Sequence, residues 1–183
     1  MKFIQITDTH LVPKGETLHG LKPYDRLKAC VEDINRCHND AELCVITGDL
    51  AHDAVPDAYI DLRACLSELT MPVYMLAGNH DSRSQLLAAF PDISADAHGF
   101  VQFWLDCSAG RFLMLDTVEE GKGWGSYCEK RLVWLQDALA EARDRKVYLF
   151  MHHPPFDVGI PSVDRLGLGS DGLQMGEVLA EHN

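Results

Sequence analysis

Leu43-Cys44-Val45-Ile46-Thr47-Gly48-Asp49 is an apolar run that breaks off on a glycine and an acid. Leu43 to Ile46 carries no alternation of apolar and polar side chains, which marks a strand buried on both faces, as in a parallel sheet. The same pattern recurs on either side. Phe3-Ile4-Gln5-Ile6 leads into Asp8-Thr9-His10, and Val73-Tyr74-Met75-Leu76 into Gly78-Asn79-His80-Asp81. Val147 to Met151 leads into His152-His153-Pro154-Pro155. Between these strands the apolar period lengthens. Leu27, Cys30, Val31, Ile34 and Cys37 form a helical stripe, and Pro56 opens a helix carrying Leu62, Cys65, Leu66 and Leu69. A short helix is expected through Leu86, Leu87 and Phe90. Phe100–Asp106 and Arg111–Asp116 are expected to form a hairpin turned by Ser108-Ala109-Gly110. A helix over Glu129–Asp144 presents Leu132, Val133, Leu135 and Leu139. A Gly/Pro-rich loop runs from Pro154 to Ser170, and Asp171 is expected to cap a last helix. Strands alternating with helices define an α/β class with a largely parallel sheet covered on both faces.

In such a sheet, ligands gather at the carboxyl ends of the strands. Four strand ends here deliver two carboxylates, an amide and several imidazoles: Asp8 and His10, Asp49, Asn79 and His80, and His152 and His153. These are hard and borderline metal ligands without thiolates, a set suited to Mn, Fe, Co, Zn or Mg. Neither a Walker loop nor a GxSxG elbow competes with them. Of the two adjacent histidines, His152 is the first off the strand and the better candidate ligand, leaving His153 behind it or facing substrate. A formal charge of −12 repels nucleic acid and anionic membranes. An anionic substrate then needs a local reversal of the field, which bound cations supply. Six cysteines without a CxxC pair read as structural thiols of a reducing cytoplasm. The amino terminus is apolar too briefly for a signal peptide, and no run is long enough to cross a bilayer.

In order and spacing, Asp8-Thr9-His10, Gly48-Asp49 and Gly78-Asn79-His80-Asp81 resemble the calcineurin-like metallophosphoesterase superfamily, with its DxH, GD, GNH[DE], H and GHxH signature. Leu115-Asp116-Thr117 through Gly125 to Trp134-Leu135 is similar to its cyclic-nucleotide and glycerophosphodiester phosphodiesterases. So is His152-His153-Pro154-Pro155-Phe156, with Gly159-Ile160-Pro161 and Asp164-Arg165 after it. The resemblance implies a sandwich of mostly parallel or mixed sheets flanked by helices, and two divalent metal ions. It places Asp8 and His10 on one metal, Asp49 between both, and Asn79 and His152 on the second. His80 would contact a phosphoryl oxygen or assist the leaving group. A carboxylate shared by two cations holds them about 4 Å apart, where a bridging hydroxide can attack phosphorus in line.

Two positions depart from that pattern. No GHxH is present, and the sequence stops at Glu181-His182-Asn183. The expectation is a single metallophosphoesterase domain over residues 1–183, truncated at its carboxyl end. A partner copy supplying the missing strand, in a homo-oligomer, is an alternative. His52 stands where relatives often carry an acid, which leaves open what supports the ligands from behind. His19, His38, His52, His98 and His182 read as surface histidines, and Asp116 as a structural acid bonding nearby backbone. Trp104, Trp124 and Trp134 read as core or loop aromatics. The expected function is a cytoplasmic, metal-dependent phosphodiesterase acting on a small phosphodiester. The alternatives are a phosphomonoesterase or nuclease with the same site, and a non-catalytic scaffold with an incomplete one.

Overall fold

A computed structural model describes residues 1–182, which fall into two compact units, one of Met1–Ser94 and a second beginning at Ala95. The first unit runs β1 (Ile4–Ile6), α1 (Pro23–Cys37), β2 (Cys44–Thr47), α2 (Pro56–Leu66), β3 (Val73–Leu76) and α3 (Arg83–Ala89). Its three strands form one parallel sheet in the order β1-β2-β3, with Ile4 opposite Cys44 and Cys44 opposite Val73. All four residues of β2 are buried, because the central strand is covered on both faces. Both long helices start on a proline, whose fixed φ and missing N–H suit the first helical position. Leu27, Val31 and Ile34 make the buried face of α1, and Tyr59, Leu62 and Leu66 that of α2; the two helices pack on each other.

The second unit contains β4 (Phe103–Cys107), β5 (Gly110–Met114), α4 (Glu129–Ala142), β6 (Val147–Phe150), α5 (Pro161–Asp164) and α6 (Ser170–Glu181). Its sheet is mixed: β4 pairs antiparallel with β5, and β5 parallel with β6. Leu113, Leu135, Leu139, Met175 and Val178 belong to one core cluster, in which α4 and α6 meet.

The mostly parallel or mixed sheets that the resemblance implies are two three-stranded sheets, one parallel and one mixed. Four local readings change. The Pro154–Ser170 loop contains the short helix α5, whose Asp164 accepts from the Val158 N–H. Asp171 lies inside the first turn of α6 and accepts the Tyr127 N–H at 2.7 Å, so it stitches a loop and does not cap the helix. Val133 is half exposed while Arg131, on the same helix, is 2% exposed. Trp104 and Trp124 lie at the surface, beneath the Arg111 and Lys122 cations. All six cysteines are free thiols, with Cys44 and Cys65 buried, and burial pushes the Cys44 thiol up to about 12. No helix among the described residues is long and apolar enough to cross a membrane.

Candidate metal centre

In the first unit the loops after β1 and β2 run side by side as an extension of the parallel sheet. The Asp8 N–H donates to the Gly48 carbonyl, His10 to Asp49, Leu11 to Leu50, and His52 to Leu11, at 2.9–3.1 Å. This zipper fixes which side chains face one another. It also forces Asp8, His10 and Asp49 into left-handed backbone, with φ of 55°, 42° and 50°. Such conformations cost a non-glycine residue on the order of 1–3 kcal/mol and persist where the surroundings over-determine them. Of the six non-glycine residues with positive φ among the described residues, three are expected metal ligands.

His10 Nε2 lies 3.4 Å from Asp49 Oδ2 and 3.7 Å from Asp8 Oδ1. Nitrogen and oxygen donors each about 2.1 Å from a shared cation stand about 3–4 Å apart, so His10 Nε2 stands at that spacing from each of the two carboxylates. Burial holds the His10 imidazole below its ordinary pKa; Asp49 pulls it up, and His80 and His52 push it further down. A lowered pKa favours the neutral ring, which is the form that binds a metal. Asp49 is 4% exposed and its Oδ1 accepts the His80 N–H at 3.0 Å. Gly78 lies directly against Asp49: a Cβ there would collide with the Asp49 side chain and backbone nitrogen, so the turn after β3 requires glycine. Asn79 and His80 follow in the same turn, both half-buried.

Asp81, which the sequence places in the motif without a role, organises this turn. Its carboxylate accepts the N–H groups of Leu50, Ala51 and Gly78 and the Tyr59 hydroxyl, at 2.8–3.0 Å. Burial pushes its pKa up while these four bonds pull it down. The Tyr59 hydroxyl also accepts the Ser82 N–H, and its own pKa is raised, first by burial and then by Asp81. One buried acid thereby ties the loop after β2 to the loop after β3.

His52 overturns its reading as a surface histidine. It is half-buried, its ring lies 4.8 Å from that of His80 at 19°, and its Nδ1 is 3.4 Å from His10 Nδ1. The donor atoms of His10, His52 and His80 all fall within 4.8 Å of one another. His19 approaches this group at its edge, with ring centroids 6.3 Å from His52. A cavity of about 490 Å³ opens beside Asp8 and His10, walled by Leu18, Leu21 and Leu27.

In the second unit His152 follows β6 and is half-buried, edge-on to His153 at 4.8 Å. His153 is 2% exposed, with Nδ1 2.8 Å from the Thr117 hydroxyl. Burial and then the neighbouring His152 lower its pKa to about 4. It is a buried residue of this unit. Gly125 must be glycine, since a Cβ would run into the His153 ring and Leu168. Asp116 meets its expectation as a structural acid: it accepts the N–H groups of Val101 and Val118 at 2.8 and 3.0 Å. Arg131, unanticipated, donates to the carbonyls of Asp116 and Val118 and to the Ser126 hydroxyl.

The strand-end loops of the first unit thus present carboxylates and imidazoles at the spacing of donors that share a divalent cation. The calcineurin-like phosphoesterase family model matches residues 1–177, and the chain belongs to that family. It is 43% identical over 183 residues to a protein of Rhodopseudomonas palustris described as a probable cyclic nucleotide phosphodiesterase, covering 98% of this chain and 66% of the relative. A probable glycerophosphodiester phosphodiesterase of Arcobacter nitrofigilis is 28% identical, with 100% and 67% covered. The 3',5'-cyclic adenosine monophosphate phosphodiesterase of Escherichia coli K12 is 32% identical, with 99% and 65% covered. The chain thus spans about two thirds of the length of these curated relatives. Among solved structures, a purple acid phosphatase from yellow lupin (Lupinus luteus) seeds shares the fold. Its TM-score is 0.54 at 13% identity, covering 84% of this chain and 30% of the lupin protein.

Proposed function

We propose that this chain carries the catalytic site of a metal-dependent phosphodiesterase that hydrolyses a small phosphodiester, a cyclic nucleotide or a glycerophosphodiester. The observation that carries the reading is the convergence of Asp8, His10 and Asp49, held in left-handed backbone with donor atoms 3.4 and 3.7 Å apart. The names borne by its relatives supply the substrate class. In this reading Asp8 and His10 hold one divalent ion, Asp49 serves two, and Asn79 and His152 serve the second. Bound there, such cations supply an acidified water and neutralise the charge that develops on phosphorus. His80, fixed by its bond to the His52 carbonyl, aims its ring at the phosphoryl oxygens or the leaving group. The strongly acidic surface favours a small diester over DNA. The free thiols suit a reducing cytoplasm.

The test is hydrolysis of a chromogenic phosphodiester by metal-stripped protein, with and without added manganese. Phosphomonoester and DNA substrates are run beside it. Turnover should return with manganese, be fastest on the diester, and vanish in Asp49→Ala. Turnover that is indifferent to chelator, or that survives in Asp49→Ala, would overturn the assignment. A faster rate on the monoester or on DNA would reassign the substrate.

A further inference from the structure

His52 touches both other imidazoles of the cluster, and it does so through two different parts of the residue. Its main-chain carbonyl accepts from His80 Nδ1 at 2.7 Å. Its ring Nδ1 faces His10 Nδ1 at 3.4 Å, while the opposite nitrogen of His10, Nε2, is turned to Asp49 and Asp8. If His10 offers the lone pair of Nε2 to a cation, the ring proton must sit on Nδ1, and an N–H in a half-buried site needs an acceptor. Among the described contacts of His10, His52 Nδ1 is the atom in that direction. The loop zipper holds it there through the His52 N–H bond to the Leu11 carbonyl at 2.9 Å.

We infer that His52 is a positioning residue for the metal site. Its ring accepts the Nδ1–H of His10 and so fixes the tautomer that presents Nε2 to the cation, while its carbonyl separately orients His80. The ring must then carry its own proton on Nε2. This takes the place of the carboxylate or carbonyl that commonly receives the far N–H of a metal-bound histidine. The inference rests on the metal-site reading proposed above, and goes beyond it by assigning a residue outside the ligand set. Replacing the side chain removes the ring acceptor for His10, and with it the stacking on His80, but leaves the carbonyl that accepts the His80 Nδ1–H.

Three proteins test this: wild type, His52→Leu and His52→Asn, whose amide oxygen can stand near the position of the lost Nδ1. Zinc affinity is measured by competition with a chromophoric chelator, and ring tautomers by long-range 15N–1H correlation on the zinc-loaded protein. We expect His52→Leu to bind zinc ten- to a hundredfold more weakly, and His52→Asn to stay within a few-fold of wild type. Wild-type His52 should be protonated on Nε2, and His80 should keep its Nδ1 proton in all three proteins. Equal zinc affinity in wild type and a folded His52→Leu, or a His52 ring protonated on Nδ1, overturns the inference and leaves the function reading standing. An Asn variant as weak as the Leu variant also overturns it, since an acceptor would then not suffice. Failure of the wild type itself to bind zinc overturns both. If His52→Leu does not fold, the wild-type tautomer and the Asn variant decide the matter.

Discussion

Both units place an aspartate just past the end of a buried strand, Asp49 after β2 and Asp116 after β5, and the two have opposite lives. Asp116 gives one oxygen to the Val101 N–H and the other to the Val118 N–H. The Arg131 guanidinium lies 3.9 Å away. Its backbone φ is not in the left-handed region. Asp49 gives one oxygen to the His80 N–H, turns the other toward His10 Nε2, and sits at a φ of 50°. Residue type, burial and position in the strand are the same. What differs is the company each keeps: both Asp116 oxygens accept backbone N–H groups, while one Asp49 oxygen lies 3.4 Å from an imidazole nitrogen. The groups around a strand-end acid, and not its position in the strand, separate the two.

The sharpest way to break the comparison is to remove each acid. Asp49→Ala should lower metal-dependent turnover by at least about a thousandfold, the scale on which a catalytic charge acts, with a modest change in urea stability. Asp116→Ala should do the reverse, costing about 3–5 kcal/mol in urea unfolding because it strands Arg131 and two backbone donors, with zinc affinity preserved. Similar effects from the two substitutions would erase the distinction. A smaller effect is expected from Tyr59→Phe, which deletes one donor to Asp81 and the acceptor of the Ser82 N–H. Thermal or urea unfolding should report a loss of about 1–3 kcal/mol, together with weaker zinc binding, since Asp81 ties the two ligand-bearing loops together. Unchanged zinc affinity would confine Asp81 to stability.

The smallest effect concerns pH. Hydrogen bonds from Arg111 and then Arg145 hold the Asp106 carboxyl at about 2. A depressed carboxyl pKa adds stability that is complete above the unfolded value, near 4, and is lost as pH falls toward 2. Asp106→Asn should therefore remove part of the acid-induced destabilisation between pH 4 and 2. Because the pair is solvent-accessible, added salt should shrink the difference. A wild-type and variant difference that does not change over that interval would show the pair to be inert.

The parallel strands, the starting proline of α2, and the strand-end positions of Asp8, His10 and Asp49 were legible in the chain. They rest on contiguous residues: an apolar run stops, and the polar group that follows must emerge at the sheet end. Less was legible where contacts come from afar. Arg131 drew no reading, and only the structure shows the carbonyls of Asp116 and Val118 and the Ser126 hydroxyl converging on it. Asp171 reads as a cap until the Tyr127 N–H arrives. One partial signal existed for His52, a histidine where an acid was expected, but its ring position depends on the pairing of the loops after β1 and β2.

By itself the sequence determined the α/β class, the succession of strands and helices and which strand ends carry carboxylates and imidazoles, because these follow from local periodicity and from the chain's obligation to leave a buried strand. Only the tertiary structure decided that Asp81 binds the loops together and that His52 stands against His10. Each of those depends on the register between segments some 30–40 residues apart, which backbone hydrogen bonds set and no single stretch of sequence encodes.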